Sequence, residues 1–82
     1  MNQEEILIEL SEHLSELAQE DLEVVVYKQV ILLKQVLSEE EIDIGLRVDR
    51  CRGILDELDE IPSLDMYVRT QLWSVSALIE QL

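Results

Sequence analysis

An all-α fold, a small four-helix bundle of two related helical hairpins, is predicted by three features of the sequence. Apolar residues recur at helical spacing in four segments. Polar capping residues open most of those segments, and the lone proline, Pro62, closes the third. The two halves also resemble each other. At an offset of 41 residues, Leu14-Ser15-Glu16-Leu17 aligns with Leu55-Asp56-Glu57-Leu58, Lys28 with Arg69, and Leu37 with Leu78. Since 41 is half of 82, the chain reads as one helical domain over residues 1–82 with approximate halves 1–41 and 42–82.

The first segment opens with NQEE. Asn2 can accept free backbone N–H groups at a helix start, and Glu5 can reach back to it. Ile6, Leu10, Leu14 and Leu17 then mark one face of a helix to about Ala18, followed by a polar interval from Gln19 to Glu23. The run EVVVYKQVILLKQVL is ambiguous. Its β-branched residues favour a strand, whereas its length and the Val30, Leu33, Val36, Leu37 spacing favour a helix. A helix that is apolar on most sides is the reading, because no second strand-like run exists to pair with it.

Ser38-Glu39-Glu40-Glu41 repeats the capping logic and predicts the start of a third helix, with its acids at the positive end of the dipole. That helix presents Leu46 or Val48, Cys51, Leu55 and Leu58, with Ile54 alongside, through about Glu60. Gly53 inside it weakens the helix relative to alanine and suggests a close helix contact. Pro62 stops the segment, and Ser63 or Asp65 can cap a fourth helix that presents Leu64, Val68, Leu72, Val75 or Ser76, and Ile79.

Composition bounds function more tightly than fold. The chain is 48% apolar, which is too hydrophobic for a disordered acidic tail, and 30% charged, which is too polar for a membrane span. The start MNQEEILIEL lacks the basic region of a signal peptide, so a cytoplasmic location and no membrane association are expected. Cys51, the lone cysteine, cannot form an internal disulfide and reads as a buried thiol.

There are 19 acidic and 6 basic residues, a formal net charge of −13. Arg47, Arg50, Arg52 and Arg69 are scattered among acids, which argues against direct nucleic-acid binding. Residues 1–41 hold eleven of the acids against two lysines, so a basic partner would meet the first half preferentially.

Catalytic chemistry finds few candidates. The chain has one histidine, one cysteine, and no HExxH, CxxC or glycine-rich phosphate loop. Glu9, Glu12, His13 and Glu16 form the nearest approach to a metal constellation, since residues four apart neighbour on a helix. A half-buried or surface histidine is the simpler reading. No catalytic residue, metal or cofactor is expected. Asp56, Glu57, Asp59 and Glu60 crowd the end of the third helix, where acids oppose the dipole. Arg52, four residues before Asp56, or Arg69 returning from the fourth helix, can compensate them.

The stretch IPSLDMYVRTQLW reads as a joint between packed helices, with Pro62, Ser63 and Arg69 as its structural residues. Trp73, one turn after Arg69, is expected to pack between helices. Such a joint can also be half of a subunit interface. Val26, Tyr27, Ile31, Tyr67 and Trp73 are the candidate partner surface; Glu9, Glu12, Glu16, Glu20, Asp56, Asp59 and Glu60 are the candidate acidic surface.

Residues 47–82 also carry a family resemblance. Leu55-Asp56-Glu57 before Pro62, then Arg69-Thr70 and Trp73, resemble the carboxy-terminal half of the uncharacterised archaeal family UPF0147. The resemblance is faint over residues 10–41, where Val24 and its neighbours replace an expected proline and basic residues. It implies a small all-α protein of two hairpin halves and no known activity.

Together these readings favour a noncatalytic interaction module or small adaptor, self-associating as a homodimer whose excess apolar surface in residues 24–37 is covered by the partner. The alternative is an acidic inhibitor or chaperone-like protein that occupies the basic surface of a nucleic-acid-binding partner.

Overall fold

A computed structural model describes residues 1–82 as four α-helices and no strands: α1 (Gln3–Ala18), α2 (Val24–Ser38), α3 (Ile44–Asp59) and α4 (Met66–Ile79). Each helix packs on two neighbours, α1 on α2 and α4, and α3 on α2 and α4, while the diagonal pairs stay apart. This is an antiparallel bundle of two hairpins, 33 × 20 × 17 Å across its principal axes. The segment from Val24 is helical although it opens with β-branched residues, because Val26, Val30, Leu33, Val36 and Leu37 fall at helical spacing and fill the core, and their burial outweighs strand propensity.

The core is a single cluster of 17 side chains drawn from all four helices. The first helix contributes Ile6, Leu10, Leu14 and Leu17, all at the predicted positions. The fourth contributes Val68, Leu72, Val75 and Ile79. In α2, Val26 extends the stripe of Val30, Leu33, Val36 and Leu37 by one turn. The outer side of α2 is not buried: Val24, Val25, Tyr27 and Leu32 are exposed. In α3, Val48 is buried and Leu46 exposed, which resolves the alternative between them. Leu55 is half-buried, and Ile54 takes a core position.

The helix starts show the hairpin repeat. Asn2 caps α1, its Oδ1 accepting from the Glu5 N–H at 2.9 Å while its amide donates to Glu5 Oε1 at 3.0 Å. Asp43, 41 residues later, caps α3 and accepts from the Gly45 N–H at 3.1 Å. Ser38 therefore does not cap α3, as the sequence suggests. It is the last residue of α2, its hydroxyl donates to the Gln35 carbonyl at 2.8 Å, and the following acids form the α2–α3 turn. Asp43 wins because it lies directly before the apolar-periodic segment with extended backbone, where an Asx side chain can reach the first helical N–H groups.

The repeat has two offsets. The helices α1 and α3 begin and end 41 residues apart. The second helices correspond at 42: Val26, Val30, Leu33 and Leu37 match Val68, Leu72, Val75 and Ile79, all buried. The difference is one residue of turn. Residues 19–23 join α1 to α2, whereas 60–65, with Pro62 and Ser63, join α3 to α4. Lys28 and Leu37 thus correspond to Thr70 and Ile79 rather than to Arg69 and Leu78. Asp65 occupies the position before α4 without a side-chain capping bond, and Leu64 lies in the turn, half-buried, rather than on the helix.

Gly53 departs from expectation. A Cβ built on it meets nothing within 4 Å, so no helix approaches it closely. Gly53→Ala is therefore expected to stabilise the protein by about 0.5–1 kcal/mol, since alanine restricts the unfolded chain and favours the helix at no steric cost. Urea denaturation of the two proteins would measure it; destabilisation would place a neighbour against this face of α3.

Candidate functional site: the apolar end and the Trp73 cleft

The antiparallel connections bring the α1–α2 turn, the α3–α4 turn and the N-termini of α2 and α4 to one end of the bundle. There the 42-residue correspondence pairs Val24 with Met66 and Val25 with Tyr67, and all four side chains are exposed. Tyr27 is exposed one turn further along α2. Around them stand the carboxylates of Glu20, Asp21 and Glu23 in one turn and of Glu60 and Asp65 in the other. The Tyr67 hydroxyl donates to Glu20 Oε1 at 3.5 Å, which ties the start of α4 to the α1–α2 turn. That end thus carries two exposed apolar pairs, one on each of the diagonally placed helices α2 and α4, with acids in both turns.

Arg69 organises the turn beneath this end. Its Nη1 donates to Asp59 Oδ1 at 3.0 Å and to the Asp59 carbonyl at 3.2 Å, and its Nη2 donates to the Ile61 carbonyl at 2.9 Å. The guanidinium thus satisfies the Asp59 carbonyl at the end of α3, joins the Leu64 N–H on the Ile61 carbonyl in the turn, and offsets a carboxylate placed against the dipole. Pro62 and Ser63 form the exposed tip of the turn.

The sequence's other proposed clamp does not form. Arg52 is not paired with Asp56. It binds Glu80 through two bonds of 3.0 Å, with Asp49 at 3.5 Å, because α4 returns its C-terminal end beside α3. The Arg52 guanidinium holds the Glu80 carboxyl below the usual range. Asp56 is left with no hydrogen-bond or ionic partner.

A second arginine has a role that the sequence analysis missed. Arg47 is 7% exposed and has no carboxylate partner; its Nε donates to the Ile42 carbonyl at 2.8 Å and its Nη1 to the Leu37 carbonyl at 2.9 Å. It closes the C-terminal end of α2, whose dipole favours a cation. The signal was present in the repeat, since Arg47 stands 41 residues after core residue Ile6. One turn on, Cys51 is fully buried, and burial pushes its thiol from 9.0 up to about 11 despite the opposing pull of Arg47.

The five residues predicted as a partner surface do not form one. Val26 is 2% exposed and belongs to the core, four residues before Val30 on the buried stripe. Tyr27 and Tyr67 lie at the apolar end. Ile31 and Trp73 occupy equivalent positions on the outer seams of the two hairpins, Ile31 half-buried and Trp73 58% exposed. Trp73 does not pack between helices, because it sits next to Leu72 and about 100° off the buried face of α4. It lines an outer cleft of about 210 Å³ between α3 and α4 with Leu55, Asp56, Asp59 and Arg69. Val24 and Val25 fall within the apolar surface expected over residues 24–37, whereas Met66 was missed, and only the corrected offset pairs it with Val24.

The predicted acids divide as well. Glu9, Glu12 and Glu16 are exposed along α1, Glu20 lies in its following turn, and Asp56, Asp59 and Glu60 are exposed at the end of α3. His13 is half-buried with its Nε2 2.7 Å from Gln71 Oε1, a contact joining α1 to α4. No three His, Cys, Asp or Glu side chains are arranged to hold a metal ion.

Two outcomes follow. Val26→Ser removes core methyls and buries a hydroxyl, so it is expected to destabilise the protein by about 2–4 kcal/mol in urea denaturation. A change below about 0.5 kcal/mol, the ordinary range for surface substitutions, would place Val26 on the surface after all. Cys51 is expected to resist an aromatic disulfide reagent at neutral pH until the protein unfolds. Because the native thiol titrates above the unfolded one, its contribution to stability is present below pH 9 and is lost as pH rises toward about 11. Cys51→Ala should remove that part of the alkaline decline, and an unchanged difference between the two proteins across this range would contradict the assignment.

No curated protein and no solved structure matches the chain. The family described as "Uncharacterised protein family (UPF0147)" matches it over residues 1–82, including the first half where the resemblance read from the sequence is faint. The chain belongs to this family.

Proposed function

We propose that the chain is a noncatalytic protein–protein interaction module that self-associates through its apolar end. The observation that carries this reading is the exposure of Val24, Val25, Met66 and Tyr67, two matched pairs from the two hairpins at one end of the bundle. Exposed apolar residues gathered at one end of so small a protein mark a surface that a partner covers. Their arrangement about an approximate two-fold suits a symmetric pairing of like surfaces.

The same reading places the module in the cytoplasm. No helix is long and apolar enough to cross a membrane, and Cys51 is unpaired. The second reading is an acidic protein that occupies the basic surface of a nucleic-acid-binding partner. It is favoured by Asp56, whose exposed carboxylate has no cation of its own.

Light scattering over a protein-concentration series, at low salt and at about 0.5 M salt where surface charges are largely screened, tests self-association. The expected result is a dimer that tightens with salt, because apolar contacts attract while rims of like charge repel. Replacing Val25 and Tyr67 with serine should return the mass to that of the monomer with unchanged helicity, since both side chains are exposed. A monomer throughout both series would overturn the self-association reading.

A further inference from the structure

We propose that the α3–α4 cleft beside Trp73 is a docking site for an arginine side chain on a basic segment of a partner protein. The proposal rests on the second reading above, that of an acidic protein with a basic partner, and gives it a definite place on the molecule.

The first hairpin supplies an internal comparison. At matching positions on its outer seam stand Ser15, Ala18 and Ile31, all half-buried, where the second hairpin has Asp56, Asp59 and Trp73, all exposed. Leu14, fully buried, corresponds to the half-buried Leu55. The α1–α2 seam holds openings too, of about 310 and 260 Å³, lined by Ser11, Lys34 and Ser38, so the second seam is set apart by its lining. There small and apolar side chains give way to two carboxylates and an indole.

Its size and charge narrow the occupant. About 210 Å³ is less than the roughly 300–1,000 Å³ of pockets that enclose whole small ligands, and suits one long side chain entering from solvent. Three charged groups line it: Asp56, Asp59 and Arg69. Asp59 and Arg69 are committed to each other at 3.0 Å, which leaves the Asp56 carboxylate as the unspent charge. The net lining charge is negative, as is that of the whole chain at −13. A cation is the complementary visitor.

Arginine fits better than lysine because its flat guanidinium can lie on the exposed indole face while its edge meets a carboxylate, and its aliphatic stem can cover Leu55. A second copy of this chain is a poorer source, since it brings the same excess of negative charge to the encounter.

The test is an amide NMR titration at physiological salt with a capped Gly/Ser peptide carrying three arginines, and with its citrulline counterpart. The lone tryptophan gives one indole N–H signal inside the proposed site. The arginine peptide should shift that signal and the amides around Asp56 and Asp59, and the citrulline peptide should not. Asp56→Asn is expected to weaken binding by about five-fold, the scale of a surface charge pair, and Trp73→Leu by a similar factor when followed on the Asp56 amides. Glu5→Gln, which removes one equal charge at the other end of the bundle, is the control and should leave affinity within about two-fold. Equal losses from Asp56→Asn and Glu5→Gln, or shifts centred elsewhere, would overturn the cleft while leaving the basic-partner reading standing. No binding of the arginine peptide would overturn both. Concentration-dependent dimerisation lost in Arg50→Gln and in Asp56→Asn alike would put a second copy in the cleft and likewise overturn the proposal.

Discussion

None of these helices is longer than 16 residues, and isolated helices of that length are marginal in water. The bundle depends on one constraint: each helix must cover its apolar stripe with two neighbours at once. The fully buried Leu10, Leu14, Leu33, Leu58 and Val75 meet this condition in the shared interior, one or more from every helix. A chain this small has a stability on the order of 4–12 kcal/mol, so two or three core truncations would exhaust it. Because the stripes must close on one another, the spaces between them and the turns that join them are where polar groups have to be accommodated.

Two arginines do that at two of the three turns. Arg47 closes the end of α2 and Arg69 the end of α3, each with hydrogen bonds to two backbone carbonyls. Both reach back from the first turn of the following helix, so each locks a turn to the helix that leaves it. Their electrostatic settings differ. Arg69 also holds Asp59, whereas Arg47 is buried with carbonyls alone, a geometry that a lysine could not reproduce with its single ammonium head. The α1–α2 turn has no such arginine and instead receives the Tyr67 hydroxyl on Glu20.

The parts of the fold that were legible in the sequence are those governed by period alone. The stripes of α1 and α4 could be read from Ile6, Leu10, Leu14 and Leu17 and from Val68, Leu72, Val75 and Ile79, because a 3.6-residue period identifies a buried face without further information. Boundaries were less legible, since Ser38 and Asp43 are both good capping residues and only the packed helix distinguishes them. Val26 was misplaced because a β-branched run is apolar at every position, so its period is hidden. Trp73 was misplaced for a different reason: large aromatic residues are buried on average, yet its position one residue from Leu72 already puts it on the flank. Of the site, the single residues Tyr27, Tyr67 and Trp73 were visible, but their grouping into an end and a cleft was not. That grouping depends on a one-residue difference in turn length, which a single offset cannot register.

The two offsets also show where the hairpins are free to differ. On the buried stripes the matched residues stay apolar and trade volume: Val30 and Leu33 in α2 correspond to Leu72 and Val75 in α4, so a larger side chain at one level is balanced by a smaller one at the next. A close-packed interior enforces this balance, since added or missing methylenes are felt directly. On the outer seams the matched residues change character entirely, from alanine to aspartate and from isoleucine to tryptophan. Such changes cost little where solvent can take up the charge and the ring edge. A bundle of repeated hairpins can therefore hold its core composition nearly constant while its two outer seams take different linings. In this chain the seam lined by carboxylates and an indole is the one next to Arg69, whose bonds to the Asp59 and Ile61 carbonyls fix the end of α3 and so keep the carboxylates of the cleft in place beside the indole.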